Sequence, residues 1–421
     1  MTSEVAVLTK QAVVLAADSA VTSGGKIFDT ANKVFALSKH QPVGIMAYSS
    51  ADVMGVPVET VIKEFRHLQG RDKHQSLGDY ASRFEEFLAT DNSLFTDEAR
   101  RSRVSALVQT FAGELHSYAQ YKLNERLRQG QKTTRTNVKR ALADAIAEFT
   151  GRIRSAKRIR VVNRPDVRAR VAAEINQARG AAVTWFERSW PTNRSIRQRI
   201  HRLALDYLFR DVGFGGEAGF VIAGFGTNDV FPCLRAFEFY CSSLGLHKVS
   251  RPEEQQDITD DCGCRILAFA QGDVVTTFME GIDPIYKGFL EHFPEAFFGQ
   301  KKALLLAGRK PQPRKAAIVE SVGREFRQAL DTQFKDLVSR QFVQPTMEVV
   351  AMMPKAELAT LAEALVNLTG LKRRASAYAE TVGGPTDVAV ISKGDGFVWV
   401  KRKHYFDPKL NPGFMAQYLE E

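Results

Sequence analysis

Apolar residues cluster in short blocks over the first fifty positions, the pattern of strands. Val5 and Val7, then Val13, Val14 and Leu15, flank Thr9-Lys10-Gln11, which predicts two strands joined by a turn. The Gly24-Gly25 break precedes a predicted shorter pair between Lys26 and Leu37, and Val43 to Ala47 predicts a further strand. The period then changes. Val53, Val56, Val58, Val61, Ile62 and Phe65 fall on one helical face, continued by Tyr80, Phe84 and Phe87 after a polar break. Residues 100 to 210 read as almost continuous helix, rich in Ala, Arg and Leu. Strands return at Phe220 to Ala223, at Cys233 to Tyr240 and at Arg265 to Ala270, with Asp273 expected to cap a helix start. Helical blocks follow at 314–340 and 354–379, the second with Leu358, Leu361, Leu365 and Leu368 at helical spacing. The chain closes on a predicted hairpin, Asp387 to Ser392 and Phe397 to Val400 about a Lys-Gly-Asp-Gly turn. This order predicts an α+β protein, an antiparallel sheet structure covered by helices.

Composition removes several classes. With 44% hydrophobic and 25% charged residues in 421, the chain is neither disordered nor collagen-like nor a coiled coil. No window approaches the ~18 apolar residues that span a bilayer. The run from Ala12 to Ala17 stops at Asp18 and is bracketed by Glu4, so it is no signal peptide and a cytoplasmic protein is expected. Four cysteines make no disulfide framework, and Cys262-Gly-Cys264 lacks the second half of a zinc site. The histidines show no metal-ligand spacing. Gly213-Phe-Gly-Gly and Gly224-Phe-Gly-Thr complete neither a phosphate loop nor a dinucleotide loop. Neither metal nor cofactor is expected.

Charge changes the picture because it is local. The net charge is +10, but residues 126–210 hold 21 Lys+Arg against 6 Asp+Glu, or +15, leaving −5 for the remainder. The chain therefore divides into 1–125, a basic helical insertion at 126–210, and 211–421. The excess peaks at Arg152, Arg154, Lys157, Arg158 and Arg160, and again around Arg197 and Arg199, with Trp185, Phe186 and Trp190 between them. One reading is a docking surface for an anionic partner, with aromatics available for stacking. An acidic protein is favoured over nucleic acid, because no nucleic-acid-binding fingerprint is present. The other reading is a solvated insertion whose arginines pair locally.

The sharpest candidate chemistry begins at residue 2. Removing Met1 would expose Thr2, whose hydroxyl and α-amine then sit on one residue. An α-amine titrates at about 7.7–8.0, so it can act as base for its own hydroxyl. Such an amine needs a carboxylate–lysine pair to set its electrostatics. Asp18 ends an apolar strand and Lys33 follows the next turn, and a strand pair would bring both within reach of Thr2.

The order Thr2, Val13-Val-Leu-Ala-Ala-Asp18-Ser, Asn32-Lys33-Val34 resembles the proteasome β-subunits and the bacterial heat-shock-locus threonine protease. Ala47-Tyr-Ser-Ser-Ala-Asp52 stands at the place of their glycine-containing oxyanion turn. Ile222-Ala-Gly-Phe and Gly383-Gly384 with the final hairpin are similar to the family's later strands. The resemblance covers the first 70 residues well and 215–405 loosely; the basic segment has no counterpart. It implies the four-layer αββα sandwich of N-terminal-nucleophile hydrolases, here with a large helical insertion. It implies Thr2 as nucleophile, Lys33 tuning its amine, Asp18 orienting Lys33, and main-chain N–H groups around Tyr48 and Ser49 holding the oxyanion.

The sequence departs from the family in three places. Tyr48 replaces the oxyanion glycine. Ala268-Phe-Ala-Gln-Gly-Asp273 replaces a glycine–serine turn, and Ala379-Glu380-Thr381-Val382 replaces a late Asp and Ser, which makes Asp273 and Glu380 the candidate substitutes. The expected function is a threonine-type peptidase working through an acyl-enzyme. Self-assembly and an ATP-driven unfoldase are partners implied by resemblance alone. The competing expectation is a non-catalytic scaffold that binds an anionic partner through the insertion.

Overall fold

The computed structural model describes residues 3–23, 26–159, 161, 164–251, 256–307, 312–376 and 382–413. Two strands open the chain, β1 (Ser3–Thr9) and β2 (Val13–Ala17), followed by a short pair, β3 (Val21–Ser23) and β4 (Lys26–Phe28). Next come β5 (Val34–Ala36), β6 (Val43–Ser49) and the two-residue strands β7 (Asp52–Val53) and β8 (Val56–Pro57). Helices α1 (Val58–Gln69), α2 (Leu77–Thr90), α3 (Asp97–Arg128), α4 (Arg135–Ser155), α5 (Arg164–Glu174), α6 (Asn176–Ser189) and α7 (Arg194–Leu208) follow. The second run of strands is β9 (Ala218–Gly224), β10 (Cys233–Ser243), β11 (Leu246–Ser250) and β12 (Cys264–Ala270). Helices α8 (Asp273–Glu280), α9 (Pro284–Ala307) and α10 (Pro313–Val338) lead through a π-helical turn (Ser339–Val343) into α11 (Gln344–Met352) and α12 (Lys355–Arg374). The closing hairpin is β13 (Asp387–Ser392) and β14 (Gly396–Lys401).

The α+β class and the strand order agree with the sequence pattern, and four local expectations need correction. Val53 and Val56 sit in the small β7–β8 hairpin, because Pro57, which has no N–H to donate, makes Val58 the first helical residue. The predicted pair between Lys26 and Leu37 does not form: β4 pairs with β3, while β5 joins the sheet of β6. Gly272, not Asp273, is the residue before α8, and Asp273 is its first helical position. Helix α9 is not predicted by the pattern, since its apolar residues wrap several faces and it contains Pro294.

The chain forms two compact units. The first comprises Met1–Val34, Val230–Pro232 and Asp257–Glu421. Its antiparallel sheet has the order β12-β1-β2-β13-β14, with Val5 opposite both Ala16 and Ala268. Val5, Val7, Val14, Ala16 and Val388 pack with Leu358, Ala362 and Leu365 of α12 and with Val275 and Val350. The opposite face is no less buried: Ala6, Leu8, Val13, Leu15, Ala389 and Ile391 are all inaccessible. Burial on both faces explains why these strands read as continuous apolar blocks rather than alternating ones.

The second unit comprises Phe35–Asp229 and Cys233–Gln256. Its sheet has the order β11-β10-β9-β6-β5. Ile45, Phe220, Ile222 and Phe237 pack against Ile62 and Phe65 of α1 and Phe84 of α2, with Phe84 edge-on to Phe220 at 5.0 Å. A capping box at Ser76 and Asp79 starts α2, and the hydrogen bonds from the Ser76 N–H and hydroxyl hold the Asp79 carboxyl below its usual range. The basic helices have a core of their own, in which Phe111, Leu142, Ile146, Phe186 and Tyr207 pack on to Tyr240 and Cys241 of β10.

Lys248 of β11 lies inside that core, and its ammonium donates to the carbonyls of Tyr207 (3.0 Å), Arg210 (2.6 Å) and Val212 (3.0 Å), closing the end of α7. Burial pushes Lys248 down from 10.5 to about 8, against the opposing pull of Cys241 and Asp211. Because the unfolded lysine keeps its proton to higher pH, its burial costs stability below about pH 8, and that cost fades between about pH 8 and pH 10. The buried Cys241 thiol, pushed up to about 11, acts in the opposite direction, so the informative quantity is a difference between variants. Relative to Lys248→Met, the wild-type urea-unfolding free energy is expected to rise across pH 8–10 by at most about 1.4 kcal/mol per pH unit. A pH-independent difference would show that Lys248 keeps its ordinary titration.

Candidate functional site

The β1–β2 register puts Glu4 opposite Ala17, so the residue after β2 lies beside the start of β1. That residue is Asp18, 2% exposed, and its carboxylate gathers four donors. Oδ1 accepts from Lys33 Nζ at 2.5 Å and from the Ser3 N–H at 3.0 Å. Oδ2 accepts from the N–H groups of Gly383 at 2.9 Å and Ala20 at 3.3 Å. The Asp18 N–H in turn donates to the Ser3 carbonyl at 3.1 Å. Lys33, 4% exposed, also stands 3.6 Å from Glu4 Oε1, and Glu4 is fully buried.

Two sequence-predicted residues, Asp18 and Lys33, are therefore together. Thr2, the third, lies outside the described residues, but Ser3, to which it is bonded, donates its N–H to Asp18. Two contributors escaped the sequence reading. Glu4 is the one charged residue of β1, and that exception was the available signal. Gly383 reaches Asp18 from 365 positions away. Its neighbour Gly384 has φ +75°, and a Cβ there would stand 2.6 Å from the Asp29 carbonyl, so Gly384 is needed for close backbone approach. Ser19 fixes the same turn: its N–H donates to the Gly383 carbonyl at 3.1 Å and its hydroxyl to the Pro385 carbonyl at 2.5 Å. Beside this junction an open cleft of about 460 Å³ is lined by Ala20, Ile27, Asp29, Arg374 and Val382 to Gly384.

The other candidates are placed as follows. Asp273 directs both carboxylate oxygens to cations of α12, Oδ2 to Lys372 and Oδ1 to Arg373, each at 2.9 Å. Burial raises its pKa, but the Lys372 hydrogen bond and the charges of Arg373 and Lys372 outweigh that and hold the carboxyl below its usual range. Glu380 lies outside the described residues. Tyr48 and Ser49 end β6 in the second unit. The Tyr48 ring lies over Gly219 of β9, where a Cβ would come within 2.2 Å of it. Ser49 takes a left-handed φ of 68° and its hydroxyl donates to Glu217 at 3.2 Å.

In the basic segment, Arg152, Arg154, Lys157, Arg158, Arg197 and Arg199 are exposed, and Arg160 lies outside the described residues. Arg197 pairs with Glu187, and Arg152 sits 4.7 Å over the Phe214 ring. The expectation of aromatics available for stacking is corrected. Phe186 and Trp190 are core residues, and the Trp190 indole N–H bonds His116 Nδ1 at 3.0 Å. Only Trp185 of the three is exposed, tilted against His116. Packing turns Phe186 and Trp190 inward, which a charge count does not register.

Comparison with known proteins gives a narrow result. No family model matches the sequence, and no curated protein matches it. The chain aligns to the solved structure of an Anbu (Gly-1) mutant from Hyphomicrobium sp. strain MC1. That alignment has 11% identity and a TM-score of 0.29, and covers 100% of this chain and 95% of that one. It aligns similarly to Anbu (ancestral beta-subunit) from Yersinia bercovieri, at 9% identity and a TM-score of 0.27 over 99% and 94%. A helical assembly of the Anbu complex from Pseudomonas aeruginosa aligns at 10% identity and a TM-score of 0.29 over 99% and 94%. At these scores the likeness says nothing of this chain's chemistry.

Breaking a buried ion pair leaves the surviving charge uncompensated, at a cost of about 3–5 kcal/mol. Asp18→Asn and Lys33→Met are each expected to lower the denaturation midpoint of the chain. The double variant should cost less than the sum of the two, and a double-mutant cycle that came out additive would deny the coupling.

Proposed function

We propose that the chain is a proteasome-like N-terminal-threonine amide hydrolase, a peptidase whose nucleophile is Thr2. The observation that carries this reading is the buried Asp18–Lys33 pair bonded to the Ser3 N–H, one residue from the proposed nucleophile. In this reading the two sheets are the inner layers of a four-layer αββα sandwich, which accords with strands buried on both faces. The 126–210 segment is the insertion on that core.

The proposed chemistry follows from the local charges. Once Met1 is gone, the Thr2 amine takes the proton of its own hydroxyl, and the hydroxyl oxygen attacks the amide carbonyl. A fixed ammonium at Lys33 favours the neutral amine by like-charge repulsion, and Asp18 holds that ammonium in place. Main-chain N–H groups near Tyr48 and Ser49 are the proposed donors to the oxyanion. The amine returns its proton to the leaving nitrogen, and water then cleaves the acyl-enzyme by the same route. Glu4 adds a second carboxylate, 3.6 Å from the Lys33 ammonium. Asp273, held by two α12 cations, fits a supporting role at the start of α8 better than direct contact with the amine. Glu380 keeps its proposed role as the other supporting carboxylate.

Exposure of Arg154, Lys157, Arg158 and Arg199 favours a second reading for the insertion, a docking surface for an acidic protein. An ATP-driven unfoldase is the partner class that a proteasome-like peptidase would use.

Intact mass should show Met1 removed, and an N-terminal-threonine-directed covalent inhibitor should add its mass to wild type but not to Thr2→Ala. Peptidase turnover is expected to fall at least about 100-fold in Lys33→Met, the scale of a lost acid–base contribution. Retention of Met1 rules out the nucleophile. Binding of an acidic polypeptide should weaken steeply with salt and be lost in an Arg154→Ser/Lys157→Ser/Arg158→Ser variant, whereas absence of binding at low salt removes the docking surface.

A further inference from the structure

Helices α9 and α10 form a hairpin of the first unit that buries very little of itself. Their contact is set by Gly323, where a Cβ would stand 2.8 Å from Phe298, and by two ion pairs, Lys302–Glu320 and Glu295–Arg327, each at 2.8 Å. The order of those pairs makes the helices antiparallel. In α9 the buried residue is Pro294, and in α10 they are Ala316, Gly323 and Val338, all but the last small or ring-closed. Phe326 also meets Phe298 across the hairpin, with ring centroids 5.8 Å apart, but most of the large apolar residues point elsewhere. Ile285, Phe289, Phe293 and Phe297 recur every four residues along α9 at 75, 61, 48 and 43% exposure. Val322 and Phe326 make a matching row on α10, at 47 and 49%.

The α10 row and the Phe293–Phe297 end of the α9 row fall on one side of the hairpin. At about 100° per residue, the α9 row centres roughly 160° from Phe298 and the α10 row roughly 80° from Gly323, turning in the same sense, with Phe293 and Phe297 nearest the α10 row and Ile285 turned past the far side. On antiparallel helices, rows that turn in the same sense face the same way. In total, eight large apolar side chains of α9 and four of α10 are exposed. Free side chains of this size present about 150–250 Å² each, so the ten of these twelve that turn to that side, about half exposed, offer on the order of 1,000 Å². That exceeds the roughly 300–600 Å² of the largest patch on a typical monomer. It reaches the about 800 Å² that one partner buries in a standard interface.

We propose that this face is the seat of a second copy of the same hairpin, two α9–α10 pairs closing into an antiparallel four-helix bundle about a two-fold axis. The area is that of one side of a stable dimer. Charge agrees with an identical partner: α9 and α10 carry eight basic and six acidic residues, so neither hairpin repels its copy. A lipid surface would call for a predominantly basic rim, and an oppositely charged partner for a single sign. Two hairpins each open on one side bury both apolar faces at once, the ordinary geometry of a four-helix bundle. The pairing is independent of the proposed chemistry at Thr2.

Sedimentation velocity of the full chain at micromolar concentration tests it. Wild type should contain an even number of 46.9 kDa chains, and Phe289→Glu/Phe293→Glu should contain half that number with an unchanged far-UV circular dichroism spectrum. Hydrogen exchange gives a check that needs no substitution: residues 284–338 should exchange faster when wild type is diluted until its mass halves. A monomeric wild type, a variant of undiminished mass, or exchange unaffected by dissociation overturns the pairing. Flotation of a monomeric wild type with phosphatidylcholine–phosphatidylserine vesicles overturns it in favour of a lipid surface.

Discussion

A carboxylate sealed from water must find donors for both its oxygens, and at Asp18 those donors come from four separate stretches of chain. Lys33 arrives before β5, Ser3 begins β1, Ala20 follows β2, and Gly383 precedes β13. The burial that makes an unpaired charge intolerable is supplied by the apolar sheet that these stretches frame. One ionised group therefore ties the ends of the strands together and concentrates a charged pair at one edge of an otherwise apolar layer. In such a place the pair matters more for the electrostatics of its neighbours than for net stability.

The rest of the first unit follows from that junction. The double glycine can bring its backbone to Asp18 only because Gly384 adopts a left-handed φ and leaves room for the Asp29 carbonyl. The open cleft forms where that approach stops short of β4. The second unit solves a similar problem with the opposite charge. There, the Lys248 ammonium satisfies three carbonyls at the end of α7 and joins the basic helices to β11. Both devices place a charge where only complete hydrogen bonding permits it.

The basic segment and the α9–α10 hairpin show opposite surface strategies. The segment has a strong local charge yet a closed aromatic core, so what it presents to solvent is mostly arginine. The hairpin is nearly balanced in charge yet turns its apolar rows outward, so the hydrophobic effect rather than electrostatics governs what covers it.

Much of this was legible in the sequence. Continuous apolar blocks such as Val13 to Ala17 announced strands, and Asp18 and Lys33 stood out as charges bordering them. Other features needed the tertiary structure. Pairing of β4 with β3 rather than β5, the inward turn of Phe186 and Trp190, and the arrival of Gly383 at Asp18 depend on contacts between distant segments. Glu4 was visible as an exception, but its place beside Lys33 was not. By itself the sequence determined period, charge location and the identity of the candidate pair, because those are properties of neighbouring residues. Only the fold decided which donors share one carboxylate and which apolar rows stay uncovered, because burial belongs to the whole packed chain and to no single stretch of it.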